Sequence, residues 1–282
     1  MLLMNELLDR MEVLYPDEIQ FSELRRAYID KDLSSVFSLL EHEADLNDLR
    51  KVVLGDDIWS AYRIILKIKD SRIVRTIKSF HASDTEWDRD AMSQGQLKSK
   101  MWMINELKTL DLDLGTVFLC AGWYGLLATL MFEHDLKVDR VRSFDIDPDV
   151  VTIADKFNLP WFSDNWKFKA VKEDIHNIDF ECHNWRAWSN SNERMSYPIT
   201  DYPNTVINTS CEHIEGFDDW YAKIPDGKLV ILQSNNFETI DEHVNTATDL
   251  HNFSDQTPMA EVLYSGELDL AAYTRFMRIG YK

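Results

Sequence analysis

TVFLCAGWYGLLATLMFEHDLKVDRVRSFDIDPDVVTIADKFN, from Thr116 to Asn158, decides how this chain is read. An apolar run, Thr116 to Leu119, meets a small-residue turn at Ala121, Gly122 and Gly125. A helical run follows from Leu126 to His134, and a second apolar run, Val141 to Phe144, ends in Asp145. This is the pattern of one strand-helix-strand unit whose turn is bare enough for the backbone to approach a ligand. In such units an acid about 20 residues after the turn meets ribose hydroxyls at the end of the next strand, and Gly122 and Asp145 have that relation. GxxG is shorter than the dinucleotide fingerprint GxGxxG and also occurs in plain strand-to-helix turns, so the assignment rests on the rest of the chain.

Downstream, the alternation continues. Pro148-Asp149 opens a helix with an apolar face of Val150, Val151, Ile153, Ala154 and Phe157, and a third strand, Phe168 to Val171, leads into Glu173-Asp174-Ile175. A fourth strand, Asn204 to Asn208, precedes TSCEHIEGFDDWYAKI, and a Pro225-Asp226-Gly227 turn introduces a fifth, Lys228 to Gln233. Strands separated by helices predict a doubly wound parallel sheet. The end departs from that rhythm, with strand-like runs at Ala260 to Tyr264, Gly266 to Leu270 and Thr274 to Tyr281. The last two are too close for a helical crossover and must pair antiparallel. Between the third and fourth strands, Asn177 to Pro203 carries Trp185 and Trp188 without a clear period, and connections of that length are often lids or binding loops. Trp161 and Trp166 lie upstream in a similarly polar setting.

Upstream, Met1 to about Phe80 repeats apolar residues at three- and four-residue spacing, as in Leu3, Leu7, Leu8 and Met11 and in Ile58, Tyr62, Ile65 and Leu66. Breaks at Pro16, at Asp30 to Asp32 and at Gly55-Asp56-Asp57 divide it into about five predicted helices, an all-α accessory domain over 1–80. The polar stretch 81–96 reads as a linker, and a helix from Leu97 to Leu110 opens the second domain, 97–282. SQGQLKSK, Ser93 to Lys100, sets Lys98 and Lys100 beside amide and hydroxyl groups. It reads either as a holder for a ligand carboxylate or as an ordinary polar helix start.

Composition narrows the class. The 282 residues are 45% apolar and 28% charged, as in a globular protein. No apolar stretch reaches the roughly 20 residues of a membrane span, and charges interrupt the N-terminal segment, so the expected location is cytoplasmic. Cys120, Cys182 and Cys211 are scattered, without the pairing of a disulfide framework or a zinc knuckle. A net charge of -19 opposes non-specific coating of nucleic acid. Residues 50–80 are nonetheless basic, with Lys67, Lys69, Arg72 and Arg75 among them, and read as a solvated helix face or a phosphate-binding patch.

Over about residues 94–282 the chain resembles a class I S-adenosylmethionine-dependent methyltransferase. FLCAGWYG looks like the family's first motif, FDIDP like the second with its ribose-binding acid, and KEDI like the third, whose acid faces the adenine amine. VINTSCEHI holds the place of the motif after the fourth strand, PDGKLVIL looks like the turn and fifth strand, and YSGELDLAAYTRFMRIGYK like the closing hairpin. Around SxGQxxSK and NTSCEH the chain is similar to some members encoded by tailed bacteriophages. The resemblance implies a Rossmann-like doubly wound α/β sheet with a terminal antiparallel hairpin, and S-adenosyl-L-methionine as cofactor. It implies cofactor contacts from Ala121, Gly122, Tyr124 and Gly125 along the turn, Asp145 on the ribose with Asp147 as alternative, Asp174 and Ile175 around adenine, and Asn208 and Ser210 near the transferring methyl. Two departures stand out. Cys120 replaces the usual acid before the first glycine, and Tyr124 replaces a further glycine, so Trp123 and Tyr124 crowd the turn.

Methyl transfer needs positioning, and a base when the acceptor must lose a proton. His213, with Glu212, is the expected catalytic pair. Glu212-His213 also resembles the ExxEH metal motif of some magnesium-dependent members, but Thr209 stands at the first glutamate and no metal is assigned. Glu242-His243 is a second Glu-His pair that sequence alone does not bring near the first. The chain lacks a GxSxG elbow, a phosphate-binding P-loop and the Asn/Asp-Pro-Pro-aromatic tetrapeptide of many amino-directed nucleic-acid enzymes. The expectation is methyl transfer to an unidentified acceptor, whether small molecule, protein side chain or nucleic acid, with the 177–203 segment and the helical domain shaping the acceptor site. The alternative is a catalytically silent methyltransferase fold serving binding or assembly, with Trp123 and Tyr124 filling the old site. A nicotinamide-binding protein is disfavoured by the missing GxGxxG and by the terminal hairpin.

Overall fold

Val117, Phe118, Leu119 and Cys120 are all buried, which an unbroken apolar run requires of a strand covered on both faces. The computed structural model describes residues 88–186, 188–189 and 194–282, together with 9, 12 and 13. The helices expected over 1–80 and the basic 50–80 segment lie outside these residues, apart from Asp9, Glu12 and Val13, which are helical. The chain divides into two compact units, Met1–Trp102 and Met103–Lys282.

The second unit carries a seven-stranded sheet built from β1 (Asp113–Cys120), β2 (Lys137–Asp145), β3 (Phe168–Lys172), β8 (Thr205–Asn208), β9 (Leu229–Asn235), β10 (Glu261–Asp269) and β11 (Thr274–Tyr281). Its order is β10-β11-β9-β8-β1-β2-β3. The pairs β1-β2, β2-β3, β1-β8 and β8-β9 are parallel, while β11 runs antiparallel to both β9 and β10. The architecture is therefore a Rossmann-like α/β sheet closed by an antiparallel hairpin, as expected. The chain passes from β1 outward to β2 and β3 and then returns to the other side of β1. The carboxyl ends of β1 and β8 thus flank the point where strand order reverses, the usual place for a ligand in an open sheet.

Helix α1 (Gln94–Leu110) begins ahead of the expected Leu97, because Ser93 Oγ accepts the Gln96 N–H at 3.3 Å and acts as an N-cap. Helices α2 (Leu126–Glu133), α3 (Pro148–Phe157), α4 (Leu159–Ser163), α5 (Phe217–Ala222) and α6 (Leu250–Gln256) follow. The two runs expected at Ala260–Tyr264 and Gly266–Leu270 are one strand, β10, whose only register shift lies between Val262 and Tyr264. Its residues are exposed or half-buried throughout, as on a sheet edge.

The 177–203 connection is more regular than its sequence suggests. β4 (His183–Trp185) pairs with β7 (Ile199–Asp201), and β5 (Trp188–Ser189) with β6 (Arg194–Met195), both antiparallel. Asp201 is the reason the base of this arm is fixed. Its carboxylate accepts Arg142 Nε at 2.6 Å, Trp185 Nε1 at 2.6 Å and Arg140 Nη1 at 3.3 Å, and the Arg142 guanidinium lies 4.8 Å from the Trp185 ring centre. Trp185, expected to shape an acceptor site, is instead buried in the core with Phe118, Phe144, Phe180 and Trp220.

Candidate functional site

The turn after β1 is held by its neighbours. Gly122 N–H donates to Phe144 O at 3.1 Å, and a Cβ on Gly122 would stand 2.0 Å from Ser143 Oγ. Gly125 has φ +68°, and a Cβ there would meet Asn158 Nδ2 at 2.8 Å and Phe168 Cζ at 2.9 Å. Asn158, fully buried, accepts from Thr129 Oγ1 and donates to the carbonyls of Gly125 and Ala154. Ala121 and Trp123 also take left-handed backbone, at φ 50° and 48°, a conformation costing about 1–2 kcal/mol per non-glycine residue. The bond from Gly122 offsets part of this cost, and Trp123 N–H adds another by donating to Asp145 Oδ2 at 3.1 Å.

Asp145 ends β2, half-buried. Its Oδ1 accepts the Asp147 N–H at 3.1 Å, so each oxygen takes a backbone donor, and a carboxylate with about four lone-pair sites can still accept from a ligand hydroxyl. Burial raises its pKa above the usual aspartate value, and the backbone donors from Asp147 and Trp123 oppose the shift. Asp147, the alternative ribose acid, caps α3 by accepting the Asp149 N–H at 2.8 Å. One of its carboxylate oxygens is thereby engaged at the helix start. Between them, Ile146 is 69% exposed. An aliphatic residue between two strand-end acids is the sign in the sequence of an apolar platform.

Asp174 is exposed and caps the short turn Ile175–Asn177 through the His176 N–H at 2.8 Å. Glu173 N–H donates to Asp145 O at 2.9 Å, which ties the β3 end to the β2 end. The Ile175 side chain lies in the core, so this residue presents only its main chain. Tyr124 is buried and stacks on Trp123 with ring centres 5.0 Å apart.

Across the switch point, Cys120 and Asn208 are register partners. Asn208 is fully buried. Its Oδ1 accepts the Ser210 N–H at 2.8 Å, while its Nδ2 and the Ser143 Oγ have no partner. Burial pushes the Cys120 and Cys211 thiols up, so neither supplies a thiolate.

The two members of the expected catalytic pair sit in different surroundings. Glu212 is 2% exposed, and its Oε1 accepts from Asn235 Nδ2 at 2.6 Å and Arg275 Nη2 at 2.9 Å. It points into the fold as half of a buried ion pair and is not an acid or base standing in solvent. His213, in the turn Cys211–His213, stays exposed, with Nδ1 3.1 Å from Glu242 O. Partial burial lowers its pKa, and His243 beside it acts in the same direction while Glu212 opposes. The result is a neutral imidazole at neutral pH, with Nε2 open to a proton or a metal ion. In the SQGQLKSK segment, Lys100 is buried and donates to Gln96 Oε1 at 2.5 Å, while Lys98 is exposed.

No family model and no curated protein matches the chain. Among solved structures it is similar to the N-methyltransferase NodS from Bradyrhizobium japonicum in complex with S-adenosyl-L-homocysteine. The identity is 10%, the TM-score 0.48, and the match covers 76% of this chain and 99% of that one. It is also similar to the magnesium protoporphyrin IX methyltransferase ChlM from Synechocystis with the same ligand, at 10% identity and a TM-score of 0.47, covering 78% and 99%.

Proposed function

We propose that this chain is an S-adenosyl-L-methionine-dependent methyltransferase. The observation that carries the reading is a convergence at one sheet edge. The Gly122 turn, the Asp145 carboxylate and Asp174 sit at the carboxyl ends of β1, β2 and β3, beside the strand-order reversal. The unpartnered Asn208 Nδ2 at the end of β8 suits the group, and glycine at 122 lets the turn pack tightly against Ser143 and Leu119. When bound, S-adenosyl-L-methionine supplies an electrophilic methyl on a sulfonium. Asp145 holds the ribose hydroxyls, exposed Ile146 covers a face of the base, Asp174 and the Ile175 main chain meet the adenine edge, and the Gly122–Gly125 turn faces the amino-acid end. The end of β8, around Asn208, Ser210 and His213, is where an acceptor arrives. The acceptor is a small molecule, a protein side chain or a nucleic acid.

Residues 1–80 are proposed as a helical accessory domain joined through 81–96. A cytoplasmic setting and a bacteriophage origin belong to the same reading, supported by the unpaired cysteines and the two short sequence likenesses.

A second reading has its own observation. Buried Tyr124 stacked on Trp123 occupies a turn that a cofactor's methionine end would line, which favours a silent fold used for binding or assembly. Calorimetric titration of S-adenosylmethionine and S-adenosylhomocysteine into the full chain separates the two. One site with Kd on the order of micromolar is expected, and no heat from folded protein would leave the silent module.

A further inference from the structure

β8 ends in the Cys211–His213 turn, and the segment after β9 folds back over it. Asn245 N–H donates to Glu212 O at 2.9 Å, Asn245 Nδ2 to Cys211 O at 3.2 Å, and Ala247 N–H to Asn235 O at 3.1 Å. This clamp brings the His243 ring against His213, edge to face, with centres 4.5 Å apart. One ligand-capable atom from each of Glu212, His213 and His243 lies within 4.8 Å of the other two. We propose that these three side chains form a site for one divalent transition-metal ion.

Three features support the assignment. His213 turns Nδ1 to Glu242 O, and His243 turns Nδ1 to Phe237 O. A carbonyl can only accept, so both Nδ1 atoms carry the proton and both Nε2 atoms keep a lone pair, the state in which histidine binds metals. Glu212 Oε1 is fixed by Asn235 and Arg275, whereas Oε2 is buried with no partner. A carboxylate oxygen without a donor in a dry setting is costly, and a cation satisfies it. Two imidazoles with one carboxylate suit zinc, iron or cobalt, while magnesium and calcium prefer oxygen ligands throughout. Thr209, at the first glutamate position of the ExxEH pattern, supplies no carboxylate, and its carbonyl accepts from Arg275 Nη2 at 2.6 Å; His243 supplies the third ligand instead.

Three protein ligands leave coordination positions open, and His213 is exposed while His243 is half-buried. Resting on the methyl-transfer reading, the open position takes the hydroxyl of an acceptor. The ion makes that hydroxyl more acidic and its proton leaves to water. The oxygen pair then bonds the methyl carbon while the carbon-sulfur pair returns to sulfur.

The test uses the full chain, stripped with chelator and dialysed, then titrated with cobalt(II) and followed by visible absorption, with zinc as competitor. One equivalent should bind, at least about 100-fold more weakly in His243→Gln and in His213→Gln, with folding checked by circular dichroism. His213→Gln, at an exposed position, keeps the test sound if His243→Gln does not fold. Absence of binding by wild type, or unchanged affinity in the folded variants, overturns the site. S-adenosylhomocysteine titrated into the same wild-type samples reports separately on the methyl-transfer reading.

Discussion

Asp201→Ala should destabilise the second unit by about 3–5 kcal/mol, the usual cost of leaving a buried charge without its partner. The charge is Arg142, 2% exposed, which donates Nε to Asp201 and Nη1 to Val141 O and Trp166 O. Burial lowers the Arg142 pKa and Asp201 is the chief opposing influence, so removing Asp201 leaves the guanidinium charged with two carbonyls in place of a counter-ion. Trp185 Nε1 loses its acceptor in the same step. Thermal unfolding should move down on the order of 10 °C. The double variant Arg142→Met with Asp201→Ala should recover part of the loss, because a buried pair replaced by apolar groups is often close to neutral. A single variant within 1 °C of wild type would contradict the ion-pair account.

Asp145→Ala should weaken S-adenosylhomocysteine binding on the order of 100-fold or more, the equivalent of two charge-assisted hydrogen bonds to ribose hydroxyls. It also removes the acceptor of the Trp123 N–H, which helps hold a left-handed residue in the turn. Asp145→Asn keeps the shape and one acceptor and should fall between the two. Binding needs the ionised carboxylate, and burial raises its pKa, so affinity should decline on acidification at a higher pH than for an ordinary aspartate. For stability the sign reverses. A folded-state pKa above the unfolded one makes ionised Asp145 a cost to the fold at higher pH, and that cost disappears as pH falls through the raised pKa. Equal affinity in Asp145→Ala and wild type would remove Asp145 from the ribose position.

The sheet was legible because its central strands β1, β8 and β9 are buried on both faces and read as apolar runs, and because the turns between them carry glycine, proline or a capping acid. Asp147 shows the limit of that reading. Two acids two residues apart look equivalent in FDIDP, and only the backbone shows one facing the turn and the other capping α3. Trp185 was misplaced because tryptophan among polar residues suggests a loop, whereas Asp201, 16 positions away, supplies the partner that allows its indole to be buried. Glu212 and His213 read as an acid-base pair because they are adjacent, but sequence does not show that Glu212 is buried against Asn235 and Arg275 while His213 stays exposed. The group that meets His213 is His243, delivered by the Asn245 clamp, a contact between distant segments that no local pattern encodes.

A crystal structure of the full chain with S-adenosylhomocysteine is the most direct test. The account predicts ribose hydroxyls on the Asp145 carboxylate, adenine against Ile146 near Asp174, and the homocysteine end along the Gly122–Gly125 turn with the Trp123–Tyr124 stack beside it. Crystals grown at saturating ligand with that edge empty and the Trp123–Tyr124 stack across it would contradict the account.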